Sequence, residues 1–178
     1  VGAALLASIL SGCASIKPVD PMIVGEHFSG RLSLNIEAWQ EQAAQSVSAN
    51  FDLRGKAEQG SLELTGPLGS LAASAQWNPQ NVTVSTHQGT RQYADLEQMT
   101  RAVFGQTLPV AALFDWLHAQ PWAGAPAATL EAPAQGFQQL GWQIDLSRYG
   151  VGILMAQRAA QPKLELRIKL DQQQNASP

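Results

Sequence analysis

The chain is short of charge, cysteine and catalytic signatures, and each shortage narrows what it can be. Charged residues make up 14% of its 178 positions, against about 25% in an ordinary soluble domain. With 11 Lys and Arg against 14 Asp and Glu, the formal charge is −3. That balance offers no basic footprint, and no nucleic-acid partner is expected. A lone cysteine, Cys13, rules out an intrachain disulfide. The three histidines, His27, His87 and His118, lie far apart, with no cysteine or second histidine at metal-ligand spacing. There is no Gly-x-Ser-x-Gly elbow, and Gly150-Val151-Gly152 lacks the third glycine of a dinucleotide loop. Glu63 and Glu165 alternate with strand leucines, which puts them on a solvated face. Catalysis is not supported, and neither a metal nor a cofactor is expected.

What is present begins with an apolar run from Val1 to Leu10 that closes on Leu10-Ser11-Gly12-Cys13. This has the form of a lipobox, in which the cysteine of an exported bacterial precursor receives diacylglycerol before the leader is removed. Residues 1–12 are thus expected to be signal peptide, with a basic n-region upstream of Val1, and Cys13 to be the acylated first residue of the mature chain. A transmembrane helix needs about twenty apolar residues, whereas here Lys17, Pro18, Asp20 and Pro21 follow soon after Cys13. A buried structural cysteine is the other plain alternative, but small residues before Cys13 and a polar, Pro-containing stretch after it fit acylation better. Residues 13–26 suit a tether. Asp directly after an acylated cysteine tends to hold a lipoprotein in the inner membrane; Ala14 and Ser15 predict the outer membrane instead, with the chain facing the periplasm.

The remaining roughly 165 residues are the size of one domain with a real core. Period-two alternation runs through Phe28–Ala38, Val47–Leu53, Leu62–Leu64, Leu71–Trp77, Val82–Val84, Trp142–Leu146 and Leu164–Leu170, with a more apolar stretch at Val151–Ala156. Turn signals at Arg54-Gly55, Gln59-Gly60, Gly66-Pro67-Leu68-Gly69 and Asn78-Pro79 make neighbours antiparallel. Asp95-Leu96-Glu97-Gln98 reads as a capping box, followed by a helix with Leu96, Met99, Val103 and Phe104 on one face, ending at Gly105. A second helix is predicted with Pro109 at its first position, Val110, Leu113, Phe114 and Leu117 on one face, and Pro121 as its stop. Ala123–Ala128 reads as a connection. The expected fold is mainly β with helices: an incomplete antiparallel β-barrel with a helical lid over an apolar cavity. It occupies a single domain, residues 27–171, with a polar tail at 172–178.

Leu62-Glu63-Leu64-Thr65-Gly66-Pro67-Leu68-Gly69-Ser70, Gly89-Thr90-Arg91-Gln92-Tyr93-Ala94-Asp95, Leu108-Pro109-Val110-Ala111-Ala112-Leu113-Phe114-Asp115-Trp116-Leu117 and Arg167-Ile168-Lys169-Leu170 follow one another in the order seen in one family. On these pieces the chain resembles the LolB family of outer-membrane lipoprotein receptors. The resemblance covers nearly the whole mature chain. It implies acceptance of acylated lipoprotein cargo from a soluble periplasmic carrier, LolA, and release into outer-membrane phospholipid by a monomer. It also implies that Leu68, between Pro67 and Gly69, is the projecting apolar side chain of the membrane-insertion loop, with folding back beside Leu71 as the plain alternative. Since each methylene taken from water is worth about 0.8 kcal/mol, such a receptor needs an apolar pocket. Strand candidates for its acyl-chain cavity are Leu32, Leu34, Ile36, Phe51, Leu62, Leu64, Trp77, Ile144, Leu146, Leu166 and Ile168. Lid candidates are Leu96, Met99, Leu113, Phe114 and Leu117. Arg31 and Arg91 are read as solvated near strand ends. Two rivals stay open: a lipid-anchored binding module for another hydrophobic ligand, and a structural envelope lipoprotein whose interior is filled by its own side chains.

Overall fold

The computed structural model describes residues 25–171. Cys13, the leader, the tether to Val24 and the tail from Gln172 lie outside the described residues. Eleven strands form one open antiparallel sheet. They are β1 (Glu26–Ile36), β2 (Gln45–Gly55), β3 (Gly60–Thr65), β4 (Leu71–Trp77), β5 (Val82–Thr86), β6 (Gly89–Tyr93), β7 (Ala127–Thr129), β8 (Gly136–Gln139), β9 (Trp142–Asp145), β10 (Ile153–Arg158) and β11 (Leu164–Leu170). Two helices, α1 (Leu96–Phe104) and α2 (Val110–Leu117), stand between β6 and β7 in sequence.

The order across the sheet is β6-β5-β4-β3-β2-β1-β11-β10-β9-β8-β7. Each hairpin is a sequence neighbour except at the middle, where β1 pairs with β11 from Gly30↔Leu170 to Ile36↔Leu164. The chain therefore walks from the centre to one edge, passes through both helices to the far edge, and walks back. That route is why both α-helices of the described residues fall here: the connection must span the sheet's width, and an apolar sheet face needs a cover.

Alternation decides which face the helices meet. In β2, Ala49, Phe51 and Leu53 are buried, while Asn50, Asp52 and Arg54 between them are half-buried on the other side. The inward side chains form two clusters. One gathers Leu34, Ile36, Phe137, Trp142, Ile144, Leu154 and Leu164 around Ala112 and Trp116 of α2. The other gathers Phe28, Phe51, Leu53, Trp77, Val82 and Ile168 around Met99 of α1 and Phe114 and Leu117 of α2. Leu166 touches both.

Several boundaries differ from the pattern in the sequence. β1 starts at Glu26, inside the stretch expected as tether, and stops at Ile36 rather than Ala38, because residues 39–42 close a tight turn with Trp39 and Gln42 bonded to each other. Pro109 caps α2 instead of opening it. Val151 belongs to a 3-10 turn, Tyr149–Val151, and β10 starts after Gly152. Strands β6, β7 and β8 carry no readable apolar alternation, and β7 takes two residues from the expected connection.

Candidate functional site

Between the helices and the inner sheet face lies a recess of about 160 Å³. Its walls come from β1 to β5, both helices, β9 and β11, and every lining side chain except Ser74 and Thr100 is apolar. Two other hollows are larger, about 450 and 360 Å³, but they are clefts among Gln138, Gln139, Gln143 and Gln157 and among Glu37, Arg158, Lys163 and Glu165. Those walls mix polar groups with apolar ones, and an apolar chain laid there would cover polar atoms without bonding them, so the smaller, almost wholly apolar recess is the site of interest.

Ten of the sixteen cavity candidates border it: Leu32, Leu34, Phe51, Leu62, Leu64, Leu166 and Ile168 from the strands, and Met99, Leu113 and Leu117 from the helices. Six do not. Ile36, Ile144 and Leu146 pack in the cluster beneath Trp116, while Trp77, Leu96 and Phe114 pack in the other, where Trp77 and Phe114 meet edge-on with centroids 6.2 Å apart. Ile36, Trp77 and Ile144 have the right face but the wrong height along it, and Leu146 follows β9; all four pack in the clusters that α2 joins, whereas Leu96 and Phe114 are helix residues that pack into the second cluster instead of bordering the recess. Lining residues outside the candidate set include Val47, Leu53, Ala75 and Val84 from strands, and Val103, Phe104 and Leu108 near the helix junction. The strand residues carry the same alternation as their neighbours, Val103 and Phe104 lie on the predicted apolar face of the first helix, and Leu108 had no periodic signal.

The two helices are held unequally. In α1, Met99 and Thr100 are buried; in α2, Val110, Ala112, Phe114, Trp116 and Leu117 are. Gln139 of β8, itself buried, fixes α2. Its Oε1 accepts from Trp116 Nε1 at 2.8 Å and from the Trp122 amide at 2.9 Å, and its Nε2 donates to the carbonyls of Trp122 and Ala125, both at 2.7 Å. The Tyr149 hydroxyl donates to the Leu117 carbonyl at 2.8 Å. At the same end, His118 lies edge-on to Phe28 and 3.2 Å from a Glu26 carboxylate oxygen.

Local bonds set the ends of α1. The Gln98 amide donates to Asp95 Oδ1 at 2.6 Å, and Gln98 Oε1 accepts from the Ala94 amide at 2.7 Å, one residue earlier than a standard capping box. Gly105, at φ 69°, donates back to the Arg101 carbonyl and ends the helix. Because Gly105 lacks a Cβ, Gln42 can approach and donate from Nε2 to the Phe104 carbonyl at 3.3 Å. From the other side of the junction, Arg158 donates from Nη2 to Gln106 Oε1 at 2.7 Å, with its guanidinium 5.9 Å from the centroid of the Trp142 ring. Burial pulls this guanidinium below its ordinary pKa.

Leu68 is 97% exposed. The Gly69 amide bonds to the Gly66 carbonyl and the Gly66 amide to the Ser70 carbonyl, both at 2.9 Å, which closes a three-residue loop with Gly69 at φ 77°. In so short a loop the tip has nothing to fold against, and Leu71 is itself 47% exposed. The strand residues just below, Leu64 and Ala73, line the recess.

Arg31 and Arg91 are exposed, and Arg31 donates to Asn50 Oδ1 on the outer face. Glu63 is exposed as well. No grouping of three or more His, Cys, Asp or Glu side chains suited to a metal ion occurs among the described residues. No helix among them is long and apolar enough to cross a membrane.

The family model described as "Outer membrane lipoprotein LolB" matches residues 27–174. Curated relatives named "Outer-membrane lipoprotein LolB" include that of Bordetella petrii, 36% identical over 167 residues, covering 88% of this chain and 83% of the relative. That of Chromobacterium violaceum is 32% identical over 151 residues, covering 80% and 79%. That of Ralstonia nicotianae is 30% identical over 149 residues, covering 77% and 70%. A match over most of the domain, together with relatives this similar over most of both lengths, has one meaning: this chain belongs to the LolB family of outer membrane lipoproteins.

Proposed function

We propose that this protein is a receptor tethered to the outer membrane by acyl chains on Cys13, which takes acylated lipoproteins from the periplasmic carrier LolA and passes them into the inner leaflet. The observation that supports this most is the pairing of an apolar recess with a fully exposed leucine at the tip of the adjoining β3–β4 loop. The recess supplies a place for acyl chains, with Leu32, Leu34, Phe51, Leu62, Leu64, Met99, Leu113, Leu117, Leu166 and Ile168 as their contacts. Leu68 supplies a side chain whose burial in lipid is worth about 2 kcal/mol.

At about 160 Å³ the recess matches an engineered cavity of about 150 Å³ that takes one benzene. Several acyl chains need many times that volume, so α1 and α2 act as a lid that lifts. The unequal attachment favours α1 as the part that moves. Gln139 and Tyr149 hold α2, whereas α1 buries little and is pinned at its end by Gln42. Movement of α1 enlarges the recess while the Trp116 cluster stays whole. Cargo transfer then follows affinity: acyl chains leave a carrier for this recess, and leave it for a bilayer that buries them completely.

Depleting the protein tests this directly. Outer-membrane lipoproteins are expected to accumulate on their periplasmic carrier. If they reached the outer membrane undiminished, the receptor role would be wrong, and photocrosslinking from Leu64 would show whether another lipid fills the recess.

A further inference from the structure

The exposed large apolar side chains are not scattered. Trp39, Leu68, Leu71, Val103 and Leu140 all sit at the end of the sheet where β1 stops, and only Val151 lies at the opposite end among those exposed in the described residues. Trp39, 42% exposed, opens a two-residue turn closed by its own amide and carbonyl against those of Gln42, at 3.0 and 2.9 Å, with Gln40 at φ 52°. Gln42 fixes the turn to the Phe104 carbonyl at the end of α1. Phe104 lines the recess, and so does Val47 at the start of β2. The Trp39 turn and the Leu68 loop thus rise from different borders of one recess.

We infer that Trp39 is a second membrane-contact residue, entering the headgroup zone of a zwitterionic bilayer beside Leu68, so that acyl chains leave the recess between two apolar tips without meeting water. This rests on the reading of the chain as an acyl-tethered receptor. An indole ring, apolar with one polar N–H, favours the membrane interface. Glu37 and Glu41 flank the turn, so insertion of the ring draws it to lipid, not attraction to anionic headgroups. The chain outside the described residues permits this pose. β1 is 11 residues long, about 35 Å, and the stretch from Cys13 to Gly25 has a contour length of about 40 Å. An anchor attached at the far end of β1 therefore reaches the membrane that Trp39 faces.

The test uses the acylated full chain reconstituted in phosphatidylcholine liposomes. Trp77, Trp116 and Trp142 are buried, and subtracting the spectrum of Trp39→Phe removes them together with half-buried Trp122. Since acylation occupies the sole native thiol, Leu68→Cys carries an environment-sensitive dye in parallel. The Trp39 difference emission is expected to shift to the blue and to be quenched by lipids brominated near the headgroup, with no loss in 0.5 M salt. Trp39→Glu is expected to load cargo normally and to deliver it to liposomes severalfold more slowly. If the dye at position 68 enters lipid while the Trp39 emission stays unshifted, the inference falls and the receptor reading survives. If neither probe enters lipid, both the inference and the insertion role of Leu68 fall. A Trp39 shift seen only when the carrier protein is added also overturns it, because the turn then belongs to a protein contact.

Discussion

Filling the recess from within separates a ligand site from a packing defect. Ala75 is 8% exposed, lines the recess from β4, and lies opposite Leu62 and Val84, which line it too. Ala75→Leu adds three carbons, worth about 2.4 kcal/mol at roughly 0.8 kcal/mol each when buried, less about 0.5–1 kcal/mol for the lost rotamer freedom of a leucine. The net gain is at most about 1.9 kcal/mol, since the space of about 160 Å³ admits the side chain without the overpacking that costs about 1–3 kcal/mol elsewhere in a core. For a domain of this size that raises the melting temperature by roughly 3–8 °C. The same side chain stands where acyl methylenes must go, so loading with acylated lipoprotein from the carrier is expected to fall severalfold. Circular dichroism on heating gives the first quantity, and transfer of labelled lipoprotein the second. A variant that melts higher but loads as well as the wild type would refute the assignment of acyl chains to this recess. One that melts lower would refute the volume reasoning.

Three further outcomes follow from single sites. Leu68→Glu is expected to leave the melting temperature within about 1–2 °C, because a fully exposed substitution changes stability by less than about 0.5 kcal/mol, while delivery to liposomes is lost and loading is kept. Gln139→Leu strands two donors and two acceptors around Trp116, Trp122 and Ala125; at about 1–3 kcal/mol for each buried group left without a partner, urea unfolding is expected to show a loss of several kcal/mol. Burial pushes the Asp52 carboxyl up, but hydrogen bonds from Arg54 and His27 outweigh it and hold its pKa below the usual value. A depressed carboxylate stabilises the fold above its unfolded pKa and loses that contribution as pH falls through the folded one. Asp52→Asn is thus expected to be less stable than the wild type at neutral pH, with the gap closing below about pH 4, as measured by unfolding across a pH series.

The parts of the fold that could be read in the residues are those where one face is dry. β1, β2, β4 and β11 alternate because helices or neighbouring clusters cover one side of each, and α1 announces itself by Asp95 at one end and Gly105 at the other. β6 was illegible because it is an edge strand, where Gly89, Thr90, Arg91 and Gln92 are all exposed. β8 was illegible for a different reason: its buried Gln139 is a polar residue doing the packing of an apolar one, made possible by four hydrogen bonds that no local pattern reveals. The recess was half legible. Alternation in Leu32, Leu34, Leu62 and Leu64 picks the inner face, but the height at which Phe114 and Trp116 descend onto it depends on contacts between distant segments. Ile36, Trp77 and Ile144 therefore look the same in sequence as residues that border open space.

The first and last strands of the described fold meet at the middle of the sheet, and this makes assembly an all-or-nothing affair. Until β11 has been made, β1 has only β2 beside it, and the outgoing and returning halves of the meander have no seam to join them. A copy lacking β11 would be left with two loose flaps, with Leu32, Leu34 and Ile36 on a strand whose unpaired backbone edge invites pairing with strangers. The seam between the first and last described strands therefore makes the closing strand the one on which the join of both halves depends.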